Sequence, residues 1–577
     1  MNRSAPGGNI STATAVIAPF VLLLGLTTTA LASPLSVTNT LDSGPGSLRQ
    51  AIADANATPG STINFVIDPN TDPGCNSTTK VCTIKPTTLF DNITSQVTIN
   101  GYSQANATPN TLAVGDDAKL KVELDATNVS PALRLQGAAS SGSTIQGLAI
   151  THFASVGILA SGSSNNTIAG NFIGVNVAGT AISFVPGVGS NYPVDVESAS
   201  NGNTIGGATP AARNVLSGNG EIIYVSVCDN TVIQGNYINI DKDGTAPLMA
   251  AQRGIDVATG SGNLIGGSTP GAGNVIGTWA AIGIIFQGAG NNNLIQGNRV
   301  GSDATGTVLL GGGFEGVNYY EGSGTGNKIG GTAAGEGNLI NGATNGDGIG
   351  LLLYFDTSPD LVVQGNLIGT DITGKLPLGN AHGIAVQSGT GLIGGTAAGA
   401  GNRIAFNSAE GVGISYSNSV VAILGNDIYA NGGLGISLGN PSVPTGNDDD
   451  DIDPGPNNLQ NYPVISTVTI SPKTTVHVSG SLNSEANKTY RLEFFANASC
   501  DHSGNGEGKI FIGSTEVTTS PNDVAFGPLD IPVPADRHVI TATATELVGA
   551  GLDPGSTSEF SVCSTQDTIF SDGVDGD

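Results

Sequence analysis

Basic residues are scarce in this 577-residue chain: 19 Lys and Arg stand against 46 Asp and Glu, a formal charge of −27. Phosphate backbones are held by clustered Lys and Arg, so nucleic acid is excluded as a partner. Anionic membranes and polyanions are disfavoured on the same ground, unless a local basic pocket or bound cations override it. Long apolar runs are missing too. After residue 32 none approaches the roughly 18 residues that mark a membrane span, so no transmembrane helix is expected. The sequence also lacks recognisable catalytic sets. The recurring Gly-Ile strands carry no Asn-Thr-Asp, Asp-Asp and Gly-His-Gly set, no Arg-rich lyase motif and no Asp-Pro-His-Glu, and Ala381-His382-Gly383-Ile384 is only a fragment of the first.

Glycine, by contrast, is abundant at 86 residues, and it keeps register with Ile and Asn instead of being scattered. Two phrases alternate along residues 140–439. The first is Asn-x-Ile-Gly-Gly, a small-residue loop, then Asn: 203–207 closing at Asn214, 263–267 at Asn274, 327–331 at Asn338, and a copy without its leading Asn closing at Asn402. The second places a short apolar pair before Gly-Asn and ends at Asn171, Asn236, Asn298, Asn366 and Asn426. Each phrase returns after 60 to 68 residues. Between them recurs Gly-Ile-x-apolar, as at Gly254-Ile255, Gly283-Ile284 and Gly383-Ile384.

A fixed period of this kind is the signature of a solenoid. The apolar runs are too short for helices, and Gly and Asn tolerate the left-handed backbone that sharp corners need. One unit is therefore a coil of three strands with an Asn at a corner. Stacked coils pair backbone to backbone, bury one continuous core and let the corner asparagines bond along the stack. The fold class predicted is all-β: a right-handed parallel β-helix of about ten coils over residues 131–440.

Residues 1–32 read as a secretory signal peptide, with an apolar stretch at 13–26 and a small-x-small site ending at Ala32. Export to the extracellular space or cell surface follows, with cleavage after about residue 32. Five cysteines in an exported chain suggest two disulfides and one remainder. Cys75 with Cys82 closes a small loop, Cys500 with Cys563 brackets the last domain, and Cys228 is a buried thiol. Residues 33–130 supply an N-terminal cap and first strands. Ser47 with Gln50 forms a capping box for a short helix that presents Leu48, Ala51, Ile52 and Ala55 on one face.

The run Val37-Thr-Asn-Thr-Leu-Asp-Ser-Gly-Pro-Gly-Ser-Leu-Arg-Gln-Ala-Ile52 resembles the N-terminal motif of exported bacterial right-handed β-helix proteins, related to those called CSLREA-domain proteins. Ile99-Asn-Gly-Tyr-Ser-Gln104 and the two repeat phrases are similar to further stretches of that family. The resemblance covers nearly the whole mature chain and implies fold and export. It implies no established activity.

Two rows of side chains are candidates for function. Asp241, Asp303 and Asp371 follow the second phrase at equivalent places, and such a row suits Ca²⁺ or sugar hydroxyls. Asp at these places also starts a turn by accepting hydrogen bonds from its own backbone. The other row is the outward side of the Gly-Ile strands. Alternation points Asp195, Glu197 and Asp256 outward, with Arg253, Tyr224, Asn318 and Tyr320 on the same strip. Polysaccharide-degrading β-helix enzymes resemble this arrangement, with acids and a base on an exposed strip. Asp195 and Asp256, two coils apart, approach the upper spacing of an inverting acid/base pair. Outward carboxylates on an acidic protein are also simply solvated. His382 has no evident partner in the sequence.

The repeats stop near Gly439. Residues 441–463 form an acidic linker whose crowded Asp449, Asp451 and Asp453 make Ca²⁺ the candidate cofactor, although Pro454 breaks the EF-hand pattern. Residues 464–563 alternate with the two-residue period of strands, and about seven of them imply an immunoglobulin-like β-sandwich. The acidic tail 564–577 resembles short Ile-Phe-x-Asp-Gly endings on exported proteins of some Gram-negative bacteria. The function expected is non-enzymatic binding of a polysaccharide or cell-surface glycan, adhesin-like, or a structural role. The alternative is a polysaccharide hydrolase or lyase working along the outward strip.

Overall fold

The computed structural model describes residues 34–565 except 185–189, 289, 323, 356–360, 440–442, 471–473, 550 and 552. The expected signal peptide and nearly all of the acidic tail lie outside the described residues.

Three parallel sheets of 13, 12 and 11 strands wind into a parallel β-helix. The first sheet runs from Leu35–Val37 to Val420–Leu424, the second from Cys82–Ile84 to Asp427–Tyr429, the third from Leu133–Gln136 to Ile436–Leu438. The first sheet exceeds the ten or so coils expected because three rungs form ahead of the phrases. They are built by Leu35–Val37, Ser61–Phe65 and Val97–Asn100, paired from Leu35↔Ile63 and Ser61↔Val97. Helix Leu48–Ala57 lies between the first two of these strands in sequence and buries the four predicted residues against the core. Its capping box is half formed: Ser47 Oγ accepts from Gln50 N at 3.2 Å, while the Gln50 side chain turns to Asp54.

The repeat phrases supply the core in register. Ile145, Ile168, Ile205, Ile233, Ile265 and Ile295 face one another on successive rungs of the first sheet, and all are buried. Each such side chain contributes about 2–3 kcal/mol by leaving water. Glycine holds the start of the Gly-Ile phrase because the next rung passes too near: a Cβ on Gly254 or Gly283 would stand 2.5 Å from a carbonyl oxygen.

The corner asparagines of both phrases interleave into one column. From Asn214 through Asn236, Asn274, Asn298, Asn338, Asn366 and Asn402 to Asn426, each Nδ2 donates to the next Oδ1 at 2.9–3.0 Å. Asn171 joins at 3.3 Å. A second column, Asn380–Asn407–Asn431, ends on Glu507 of the C-terminal domain at 2.9 Å.

That domain comprises a three-stranded and a four-stranded antiparallel sheet around its own core, including Val478, Tyr490, Leu492 and Phe494. It closes the open end of the solenoid. The last coil would otherwise present unpaired N–H groups, a costly and aggregation-prone edge. Glu493 accepts from Gly425 N, Glu507 from Ala430 N and Asn431 N, and Glu559 from Leu438 N and Thr445 N, at 2.5–3.0 Å. The segment between the two units is exposed at Asp449 and Asp450 and buried at Asp451 and Asn457. Asn457 is buried, with Oδ1 accepting from Val421 N at 2.7 Å and Nδ2 donating to Thr557 O at 2.9 Å.

Candidate functional site

The third sheet aligns the outward strip as alternation requires. Asp195 faces Tyr224, and Tyr224 faces Asp256. The same column continues through Ile285 to Asn318. A neighbouring column runs Glu221, Arg253, Ile282, Glu315. Asp195 and Asp256 are thus two rungs apart, about 9–10 Å at ordinary strand spacing.

Tyr192, Asp195, Tyr224, Arg253 and Gln287 line a cleft of about 490 Å³. The Tyr192 and Tyr224 rings form one wall, with centroids 6.1 Å apart and planes tilted by 58°. Asp256 points outward yet is 0% exposed, because Arg253 and Gln287 close over it. Arg253 Nη1 lies 2.5 Å from Asp256 Oδ2, and Gln287 Nε2 donates to both Asp256 oxygens at 2.8 and 3.0 Å. Arg253 also stands 3.9 Å from Glu221. Asp195 is different: its buried Oδ1 has no hydrogen-bond partner among the described residues, and neither has Glu221 Oε2. Burial first, then the Glu197 and Glu221 charges, push the Asp195 carboxyl up to about 7. Burial also raises Asp256, against the pull of Gln287 and Arg253.

Glu197, Asn318 and Tyr320 share the strip but do not line this cleft. Asn318 Nδ2 donates to Glu315 at 2.6 Å, and the Tyr320 ring packs edge-on against Tyr354 at 4.8 Å. Tyr192, Glu221 and Gln287 were missed by the sequence reading. They stand outside any Gly-Ile phrase, and the two-residue alternation of their strands was the signal available.

The Asp241, Asp303 and Asp371 row is spent inside its own turns. Each Oδ1 accepts two backbone N–H groups four and five residues on, at 2.8–3.0 Å. These turns fold over the outer face of the second sheet and bond to one another, Lys242 N to Gly179 O and Ala304 N to Gly244 O at 2.8 Å. The three residues are accordingly 9%, 4% and 1% exposed.

Two disulfides join Cys75 to Cys82 and Cys500 to Cys563, and Cys228 is free and buried. His382 has the partner its sequence context hid: Glu410, from the next rung, stands 2.8 Å from Nδ1, and this bond raises the imidazole pKa. In the acidic segment Asp448, Asp451 and Asp453 bring three carboxylate oxygens within 4.8 Å of one another. Asp448 replaces the expected Asp449 because Asp450 and Asp451 adopt left-handed backbone, which turns the chain between them.

Several carboxyls are displaced in the same direction. Burial pushes Asp195, Glu507 and Glu559 up to about 7 and Asp451 up to about 6. The folded chain therefore holds protons between about pH 4 and 7 that the unfolded chain has released, and stability falls as pH rises through that window. The thermal midpoint is expected to be higher at pH 5.5 than at pH 8, measured by calorimetry at constant ionic strength. The opposite order would contradict it.

No family model and no curated protein matches the chain. Among the described residues no helix is long and apolar enough to cross a membrane. The chain is similar in structure to the A-module of the mannuronan C-5 epimerase AlgE4 of Azotobacter vinelandii, 13% identical over 70% of this chain and 99% of that one, with a TM-score of 0.33. It is also similar to PfbA, a surface adhesin of Streptococcus pneumoniae, 13% identical over 75% and 96% with a TM-score of 0.25. A third is the tailspike protein gp49 of Acinetobacter baumannii bacteriophage Fri1, a capsular polysaccharide depolymerase, 8% identical over 92% and 88% with a TM-score of 0.25. These TM-scores are all below 0.5, and it is the pairing of the three parallel sheets that makes this chain a parallel β-helix.

Proposed function

We propose that the protein is an exported, adhesin-like rod that binds polysaccharide along the outward strip of its third sheet, with the Tyr192/Tyr224 cleft as the central subsite. One observation carries this: two tyrosine rings flank a carboxyl without a hydrogen-bond partner in an open cleft of about 490 Å³. Aromatic faces take the C–H face of a sugar ring, and a free carboxyl oxygen takes its hydroxyls. The resemblance of residues 37–52 to exported β-helix proteins and the two disulfides support a place outside the cell. The seven C-terminal strands support an immunoglobulin-like sandwich that closes the rod. Tyr224→Ala is expected to weaken binding to the preferred polysaccharide about tenfold or more, measured by affinity electrophoresis across a panel of neutral, amino and acidic polysaccharides. Unchanged retardation of the variant, or no retardation of the wild type by any polysaccharide, would sink the reading.

A second reading has a specific observation behind it. Asp195, raised to about 7, and Asp256, charge-paired with Arg253, are two carboxyls in unlike environments. That is how an acid and a base of a glycoside hydrolase are separated. The reading expects release of reducing ends from the bound polysaccharide, abolished by Asp195→Asn. Absence of release from every substrate that the protein binds would leave binding alone.

Ca²⁺ is the proposed cofactor, at Asp448, Asp451 and Asp453. Hard cations take clustered carboxylate oxygens, and Asp448 Oδ1 is buried there without a partner among the described residues. Chelation is expected to lower the unfolding temperature of the wild type and to leave Asp448→Asn unmoved. Equal midpoints with chelator and with Ca²⁺ would contradict it.

A further inference from the structure

The cleft is short of donors. Asp195, Glu197, Glu221, Asp256 and Glu315 crowd the same stretch of the third sheet, where Arg253 is paired with Asp256 at 2.5 Å and stands 3.9 Å from Glu221, and the next guanidinium in the Asp195 column, Arg134, is two rungs away. From Asp195 to Asn318, three buried polar atoms of the strip lack a partner among the described residues: Asp195 Oδ1, Glu221 Oε2 and Asn318 Oδ1; Arg134 Nε, two rungs before Asp195 in the same column, also lacks one. The first three are acceptors. A ligand that completes the site must bring N–H or O–H donors and should bring positive charge.

Three chemistries compete for that role. A uronate or a sulfated sugar adds like charge beside unpaired carboxylates and is repelled. A divalent cation needs converging oxygens, and among the described residues only Asp448, Asp451 and Asp453 converge, far from this cleft in sequence. An ammonium group supplies three donors and the missing charge. When it is carried on a pyranose ring, the apolar face of that ring suits Tyr192 and Tyr224.

Resting on the glycan-binding role of this cleft, we infer that its preferred ligand is a polysaccharide with free amino groups, a deacetylated hexosamine chain whose ammonium sits between Asp195 and Glu221. Acetylation of the amine removes the charge and two of the three donors. The site is thus expected to discriminate by acetylation state and not only by sugar backbone.

The test uses the full chain with soluble glucosamine oligosaccharides, their N-acetylated counterparts and oligogalacturonate, by calorimetry at physiological salt. Wild type is expected to bind the glucosamine oligomer at least about tenfold more tightly than the acetylated one, and not to bind the uronate. Asp195→Asn and Glu221→Gln should each erase most of that preference by weakening the glucosamine oligomer far more than the acetylated one, with wild-type melting curves as the folding check. An acidic surface attracts any polycation, so a preference that survives in both variants overturns the inference. Equal affinity for the two forms, or tighter binding of the uronate, also overturns it and leaves the glycan-binding role standing. Failure of wild type to bind any of the three removes the inference. If the wider panel is negative as well, the glycan-binding role falls with it.

Discussion

Replacing Asn298 by alanine is expected to cost roughly 3–5 kcal/mol of stability, among the largest losses any single substitution in this chain should produce. Its Oδ1 accepts from Asn274 N at 3.2 Å and from Asn274 Nδ2 at 2.9 Å. Its Nδ2 donates to Ile265 O, Gln296 O and Asn338 Oδ1 at 2.9–3.1 Å. All these groups are buried, so truncation removes five hydrogen bonds at once; Asn274 Nδ2, Gln296 O and Asn338 Oδ1 keep one partner each, while Asn274 N loses the acceptor it had. Urea denaturation should show the loss as a fall in midpoint with little change in slope. Asn298→Asp separates hydrogen bonding from packing. It keeps the acceptor, loses the donors and buries a charge, so it should be worse at pH 8 than at pH 4. A midpoint within experimental error of wild type for the alanine variant would mean that the column is ornament and that the isoleucine stack holds the corners unaided.

The second large effect is at the closed end of the solenoid. Glu507 takes Ala430 N, Asn431 N and Asn431 Nδ2, and so terminates a column that reaches back through Asn407 to Asn380. Glu507→Ala removes three hydrogen bonds inside a buried interface and leaves Ala430 N and Asn431 N without acceptors, Asn431 Nδ2 keeping Ile404 O, a loss of about 3–5 kcal/mol concentrated on docking. The C-terminal domain has its own core, so it should survive as a folded unit. Calorimetry is expected to split one transition into two, and a protease should gain access to residues 441–463. Glu559→Ala should act in the same direction by releasing Leu438 N and Thr445 N. A single transition at the wild-type midpoint in both variants would show that the apolar contact of Phe495 and Phe560 with the solenoid core is enough to hold the two units together.

Much of this architecture is legible along the chain. The Asn and Ile of the two phrases recur because rungs stack on identical neighbours, so residues at one place in the phrase must share one register. Asp195 and Asp256 could be placed on one outward strip by the two-residue alternation of their strands. What escaped were contacts between unlike places. Residues 105–118 lie across the outer face of the second sheet, where Gly115 N meets the Tyr237 hydroxyl at 3.0 Å and Arg213 Nη2 meets Ala113 O at 2.9 Å. No repeat announces that contact, because its partners are about a hundred residues apart and belong to different elements. The same holds for His382 with Glu410 and for the glutamates that meet the last coil.

By itself, then, the sequence determined the stacked spiral, its buried isoleucines, its asparagine column and the line of outward residues on the Gly-Ile strands, since each follows from a period that the backbone must repeat. Only the tertiary structure decided which of those outward residues matter. Turns of one repeated length close over Asp241, Asp303 and Asp371, and the Arg253 and Gln287 side chains shut Asp256 from solvent while Asp195 stays unpartnered beside two tyrosines. Periodicity sets which way a side chain points, but what lies over it depends on which neighbouring side chains and turns fold back onto it.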